Sequence, residues 1–292
     1  MADLPSADDW QVFHGEASPA AARIYVRMRL PSPPAVDRLR GEITGPFSRY
    51  ARTLPATTRF EAVVRSQDVL AETVLIDPCF WTPGLPYLYR VRLSLESAGQ
   101  DRWSDERTFG IRRLGVRGGQ FSLEGKYWVL RGGKVDDTSA FDWDAWREQD
   151  LVAFVNEPEE AFCVEADQRG VLLAAKALAT GRDLERSLRR WQRHPSVGLV
   201  VVPAEAANHA QFGDAPSNWI IASDVEGREQ PPPWADALVC EASFLEQASG
   251  VTRPVIAVRS ASRPIAAAAI RSECDRLQRD LAGQSQFSGY LV

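Results

Sequence analysis

Lysine is nearly missing from this chain. Lys126, Lys134 and Lys176 are the only three, so arginine supplies almost all of the 34 basic residues. That bias, taken on its own, reads as genome base composition. Histidine is sparse too: His14, His194 and His209 are far from any metal-ligand spacing, which excludes a histidine-built metal site. Four cysteines, Cys79, Cys163, Cys240 and Cys274, stand far apart with no C-x-x-C pair. They exclude a cysteine zinc site and a disulfide-dependent miniature fold, and are expected to be mostly buried thiols. No apolar run approaches the ~18–20 residues of a membrane-crossing helix. The opening MADLPSADDW lacks the basic start and apolar core of a secretory signal, so a cytoplasmic protein is expected. A net charge of −5 offers no electrostatic ground for binding nucleic acid. RGGK (131–134) is too short to cradle a phosphate, and no cofactor is expected.

What is present is an ordinary globular mixture, 45% hydrophobic and 25% charged over 292 residues. At roughly 100–200 residues per domain, that length suggests two domains. The first, 1–112, reads as all-β. ARIYVRMRLP (22–31) alternates with period two, and shorter runs at 41–44, 59–64, 71–76 and 87–95 are separated by Pro-, Gly- and Ser-containing turns. This is the pattern of an antiparallel, immunoglobulin-like β-sandwich.

From 113 the pattern changes. Eight near-continuous apolar runs, at 127–131, 151–155, 171–175, 197–202, 218–223, 235–240, 254–258 and 287–292, alternate with helical stretches. Strands buried on both faces need such runs. Helices are predicted over 157–169, with Pro158 in the first turn and Gly170 at the end, over 182–192, and over 264–282 before Gly283. The expectation for 113–292 is a compact (β/α)8 TIM barrel. The stretch from Phe121 onward is shorter than the ~200 residues at the lower end for such barrels, so shortened or missing helices are expected.

Five segments carry a resemblance. LIDPCFWTPGLPYLYRVRLSL (75–95), RTFGIR (107–112), FSLEGKYWVLRGG (121–133), AFCVEADQRGVLLAA (161–175) and WQRHPSVGLVVVPAE (191–205) occur in the order found in glycoside hydrolase family 2. That family includes β-galactosidases, β-glucuronidases and β-mannosidases. Trp81, Pro83, Pro86, Leu88 and Tyr89 match its last sandwich strand, and Glu124 stands where it has asparagine. The resemblance implies a sandwich leading into a glycosidase barrel whose active site lies at the C-terminal strand ends. Glu205 matches the catalytic acid/base position, but Ala204 replaces the neighbouring asparagine. RPVIAVRS (253–260) resembles the strand that delivers the nucleophile, and Arg259 occupies its place. An arginine can neither attack an anomeric carbon nor act as a base. The family's Arg-x-x-His after strand two is absent from LVAFVNEPEE (151–160).

A retaining glycosidase needs two carboxyl groups about 5–5.5 Å apart. Other strand-end acids are Glu241, Asp224, Glu157, Asp136 and Asp137, with Glu241 the best substitute nucleophile. Arg259, His209, Asp224 and Trp143 are candidate substrate-binding residues, with Arg259 a salt-bridge partner for Glu205. Trp143 and Trp146 read as core or rim packing before sugar stacking, Trp128 and Trp191 as core, His194 as structural, and His14 as a surface residue. Three functions follow: a non-catalytic carbohydrate- or protein-binding descendant, which is preferred; an active glycosidase using Glu205 and Glu241; or a structural interaction module. No membrane or nucleic-acid partner is expected.

Overall fold

A computed structural model of the chain describes residues 5–31, 36–204, 218–225, 232–242, 252–259, 266–283 and 287–292. The chain divides into two compact units, Met1–Arg112 and Arg113–Val292.

The described residues of the first unit form seven strands: β1 (Trp10–Ala17), β2 (Ala21–Arg29), β3 (Arg38–Phe47), β4 (Ala56–Val63), β5 (Asp68–Ile76), β6 (Leu88–Ser97) and β7 (Gln100–Phe109). They form two antiparallel sheets, ordered β1-β2-β5 and β4-β3-β6-β7. Alternation places Ile24, Val26 and Met28 of one sheet and Leu39, Ile43, Val91, Leu93 and Leu95 of the other in a shared core, all buried. Each such side chain contributes about 1.5–3 kcal/mol by leaving water. The flanking strands β1 and β7 escaped the sequence reading because their patterns are weak. β7, QDRWSDERTF, is mostly exposed and charged.

The residues that carried the resemblance have structural work here. The Tyr89 hydroxyl accepts from the Cys79 amide at 2.8 Å and donates back to the Cys79 carbonyl at 3.3 Å. A tyrosine at the start of a strand, bonded to backbone just upstream, closes the corner of an immunoglobulin-like sandwich. Trp81 is fully buried and its amide donates to the Ile111 carbonyl. His14 is not on the surface as expected: it is buried and its Nε2 accepts from the Arg112 amide at 3.3 Å.

The second unit opens with a small antiparallel meander, β8 (Leu114–Arg117), β9 (Gln120–Leu123) and β10 (Lys126–Tyr127). The barrel follows: β11 (Leu130–Val135), α1 (Trp143–Glu148), β12 (Val152–Asn156), α2 (Glu160–Arg169), β13 (Leu173–Lys176), α3 (Gly181–Trp191), β14 (Val197–Pro203), β15 (Ile220–Asp224), β16 (Ala237–Glu241), β17 (Val255–Val258), α4 (Ala267–Asp280) and β18 (Phe287–Leu291). The eight strands from β11 to β18 are parallel and the last pairs with the first, closing the barrel. Among the described residues only four α-helices accompany them, so this is a reduced TIM-like barrel.

Two expectations shift. The first barrel strand runs over Leu130–Val135, not 127–131, because Lys126 and Tyr127 pair with β9 instead. The two glycines inside that strand are required by close approach. A Cβ on Gly132 would collide with the Val152 carbonyl oxygen, and one on Gly133 would meet Ile270 at 2.8 Å. Helix α2 starts at Glu160 rather than 157, because Glu157 adopts φ 43°, outside the helical region. Pro158 therefore precedes the helix, and its carbonyl accepts the Trp191 indole N–H at 3.1 Å. Gly170 ends α2 in the left-handed conformation, as its position predicts.

Candidate functional site

The lumen-facing ends of the barrel strands build a cavity of about 160 Å3. Its polar lining comes from five strand ends or the residues just beyond: Lys134 and Asp136 from β11, Asn156 from β12, Lys176 from β13, Asp224 from β15 and Glu241 from β16. Phe154, Val201, Val239, Val258 and Leu291 supply apolar wall. Each polar residue interrupts or ends an otherwise apolar strand, which is how a barrel aims chemistry at its C-terminal mouth.

These side chains are organised as ion pairs across the lumen. Lys176 Nζ lies 2.7 Å from Asp224 Oδ2, joining the third barrel strand to the fifth, and the Asp224 side chain is only 17% exposed. Lys134 Nζ lies 4.0 Å from Glu241 Oε1, joining the first strand to the sixth. Asn156 stands in register beside Lys176 on the neighbouring strand. The two lysines and Asn156 were not singled out in the sequence. The signal was there, since two of the only three lysines of an arginine-rich chain end barrel strands.

The candidates singled out in the sequence scatter. Asp224 and Glu241 line the cavity, each facing a lysine. Arg259, just past β17, is paired with Asp280 of α4 at 2.9 Å, and its amide donates to the Leu291 carbonyl. It is not among the cavity-lining residues. Trp143 belongs to an aromatic cluster between α1 and α2, with its ring centroid 4.6 Å from those of both Phe141 and Phe162. Glu205 and His209 lie outside the described residues.

Other strand-end acids are committed elsewhere. Glu157 receives the Leu178 amide at 2.9 Å and the Ser187 hydroxyl at 2.8 Å, tying the β13–α3 connection down. Asp137 receives the amide and hydroxyl of Ser139.

At the opposite, N-terminal end of the strands sits a buried charge network. His194 Nδ1 is 2.7 Å from Asp167 Oδ2, its Nε2 is 3.3 Å from Glu160 Oε1, and Asp167 Oδ1 accepts the Ser196 amide at 2.8 Å. Burial alone depresses the imidazole, but the charge and hydrogen bond of Asp167, helped by Glu160, dominate and push it up to about 9. Polar groups at this end of such a barrel serve stability rather than catalysis, which agrees with reading His194 as structural. Three of the four cysteines, Cys163, Cys240 and Cys274, are buried. No group of three metal-ligating side chains occurs among the described residues.

Comparison with known proteins places this arrangement. Residues 41–112 match the family model of glycosyl hydrolases family 2. A β-galactosidase of Lactococcus lactis is 33% identical over 63 residues, which is 21% of this chain and 6% of that protein. A glycosyl hydrolase family 2 member from Bacteroides cellulosilyticus superposes with a TM-score of 0.72 at 16% identity, covering 98% of this chain and 43% of its own. A β-glucuronidase from Ruminococcus gnavus superposes with a TM-score of 0.70 at 14% identity, covering 97% of this chain and 60% of its own. The chain thus spans well under two thirds of the length of these relatives. At such identities the superpositions establish fold, and they extend the likeness through the barrel. The chain is a relative of glycoside hydrolase family 2, with an immunoglobulin-like sandwich followed by an eight-stranded parallel barrel.

Proposed function

We propose that this chain is a non-hydrolytic descendant of the family that binds carbohydrate at the mouth of its barrel. The observation that carries the reading is the pairing of the strand-end acids. Retaining hydrolysis needs one ionised carboxylate poised to attack the anomeric carbon and a second carboxyl to protonate the leaving oxygen. Asp224 is bonded to Lys176 and Glu241 faces Lys134. Arg259, at the position resembling the nucleophile, is drawn to Asp280. Ammonium and carboxylate groups facing one small cavity suit hydroxyl groups, which can accept from one and donate to the other. Glu205 is, on this reading, an inherited acid without a catalytic partner.

Two of the three relatives named above are a β-galactosidase and a β-glucuronidase, so aryl β-galactosides and aryl β-glucuronides are the first probes. The expected result is no turnover above background, together with saturable binding of the matching methyl glycosides by calorimetry, weakened by Asp224→Asn. Turnover abolished by Glu205→Gln or Glu241→Gln would establish the active-glycosidase alternative instead.

One observation favours the interaction-module reading. β5 is an edge strand that turns Leu70, Val74 and Ile76 to solvent. A chain that binds no sugar yet self-associates through this strand would support it.

A further inference from the structure

We infer that Lys176 is a carbonyl-reactive amine that forms a Schiff base with small polyhydroxylated aldehydes or ketones, with Asp224 as its proton acceptor and donor. This goes beyond glycoside binding and does not depend on it. Three observations converge. First, arginine fills almost every cationic position of this chain, yet among the described residues the cations lining the cavity are Lys134 and Lys176, two of its three lysines. Arginine supplies charge and hydrogen bonds at least as well. What lysine alone offers is a compact amine that can lose its proton and become a nucleophile. Second, Lys176 ends a barrel strand and its Nζ is 2.7 Å from Asp224 Oδ2, within reach for direct proton transfer. Third, the cavity of about 160 Å3 at the strand ends leaves room for a small carbonyl compound beside Lys176. Asn156, Asp136 and Glu241 line the same space and can hold its hydroxyl groups.

The step balances with the groups present. The Lys176 ammonium passes one proton to Asp224, and the free amine attacks the carbonyl carbon, forming the N–C bond. A second proton passes from the attacking nitrogen to the carbonyl oxygen, giving a neutral carbinolamine. Asp224 then returns its proton to that hydroxyl, which departs as water as the C=N bond forms. Nothing is oxidised or reduced.

The third lysine is a built-in reference. Lys126, on the exposed strand β10, reports the reactivity of an ordinary amine. The full chain is incubated with glyceraldehyde near neutral pH, trapped with cyanoborohydride and mapped by tandem mass spectrometry. The expected result is saturable labelling of Lys176, about 100-fold faster than of Lys126, the lower end of what a positioned acid–base group supplies. Asp224→Asn should bring Lys176 to the rate of Lys126. Lys176→Arg, which retains a cation for Asp224, should abolish cavity labelling with the circular dichroism spectrum unchanged. Labelling of Lys176 no faster than Lys126, preferential labelling of Lys134, or a full rate in Asp224→Asn overturns the inference. Methyl glycosides have no free carbonyl, so their binding tests the sugar-binding reading separately.

Discussion

The His194 network makes the barrel's stability pH-dependent in a direction that can be worked out from its geometry. The imidazole is buried at 5% exposure between Asp167 and Glu160, and is pushed from 6.5 to about 9 on folding. A group whose affinity for a proton rises on folding stabilises the fold fully below its unfolded value, and that contribution is lost as pH climbs through the folded one. A rise of this size corresponds to about 3 kcal/mol between pH 6 and pH 9.5. The charged groups facing it are Asp167, buried with it, and Glu160, which His194 holds below the usual carboxylate range. Glu160 stays ionised across that window, so its charge does not add to the change in the imidazole. His194→Gln keeps a donor for Asp167 but has no proton to lose. Its deficit relative to the unmodified chain is therefore expected to be largest at pH 6 and to shrink by up to about 3 kcal/mol at pH 9.5. Guanidinium denaturation read by hydrogen-exchange mass spectrometry follows the barrel separately from the sandwich. A deficit that is the same at both pH values refutes the reasoning.

Other consequences can be checked in the same way. In the sandwich the sign reverses: burial, the dominant cause, and nearby Arg112 lower His14 to about 4 despite its bond to the Gly15 carbonyl. The sandwich should therefore lose up to about 3 kcal/mol as pH falls from above 6.5 toward 4, a loss that His14→Gln should largely remove in acid denaturation. Tyr89→Phe strips the Cys79 amide of its partner and should cost the sandwich about 1–2 kcal/mol in chemical denaturation, with the barrel unaffected. Gly132→Ala forces a methyl group against the Val152 carbonyl between adjacent barrel strands. It should destabilise the barrel by about 1–3 kcal/mol or more, seen as a lowered thermal midpoint.

The eight barrel strands were legible as apolar runs because a parallel sheet covered on both faces leaves almost no polar position within a strand. Three of the four helices were legible for the matching reason. α3 buries Leu184, Leu188 and Trp191, and α4 buries Ile270, Cys274 and Leu277, both at helical spacing. The six-residue α1 offered too few turns to show a period, and β10 was hidden because Lys126 and Tyr127 are exposed on both faces of a two-residue strand. The family words at Trp81 and Tyr89 were legible because a sandwich corner asks for particular side chains at particular places.

The site was not legible in the same way. Lys134, Lys176, Asp224 and Glu241 are spread over more than 100 positions of sequence. Which lysine meets which acid depends on barrel closure and on the stagger of strands around it, and no local spacing encodes either. The scarcity of lysine was plain from the outset and read as composition, because only the folded barrel puts two of the three on one cavity wall. The sequence by itself determined the strand runs, most helices and the ancestral motifs, since these follow from local burial and backbone preference. The tertiary structure alone decided that Asp224 and Glu241 face lysines across the lumen and that Arg259 turns to Asp280, because those pairings join elements far apart in sequence that meet only in the folded barrel.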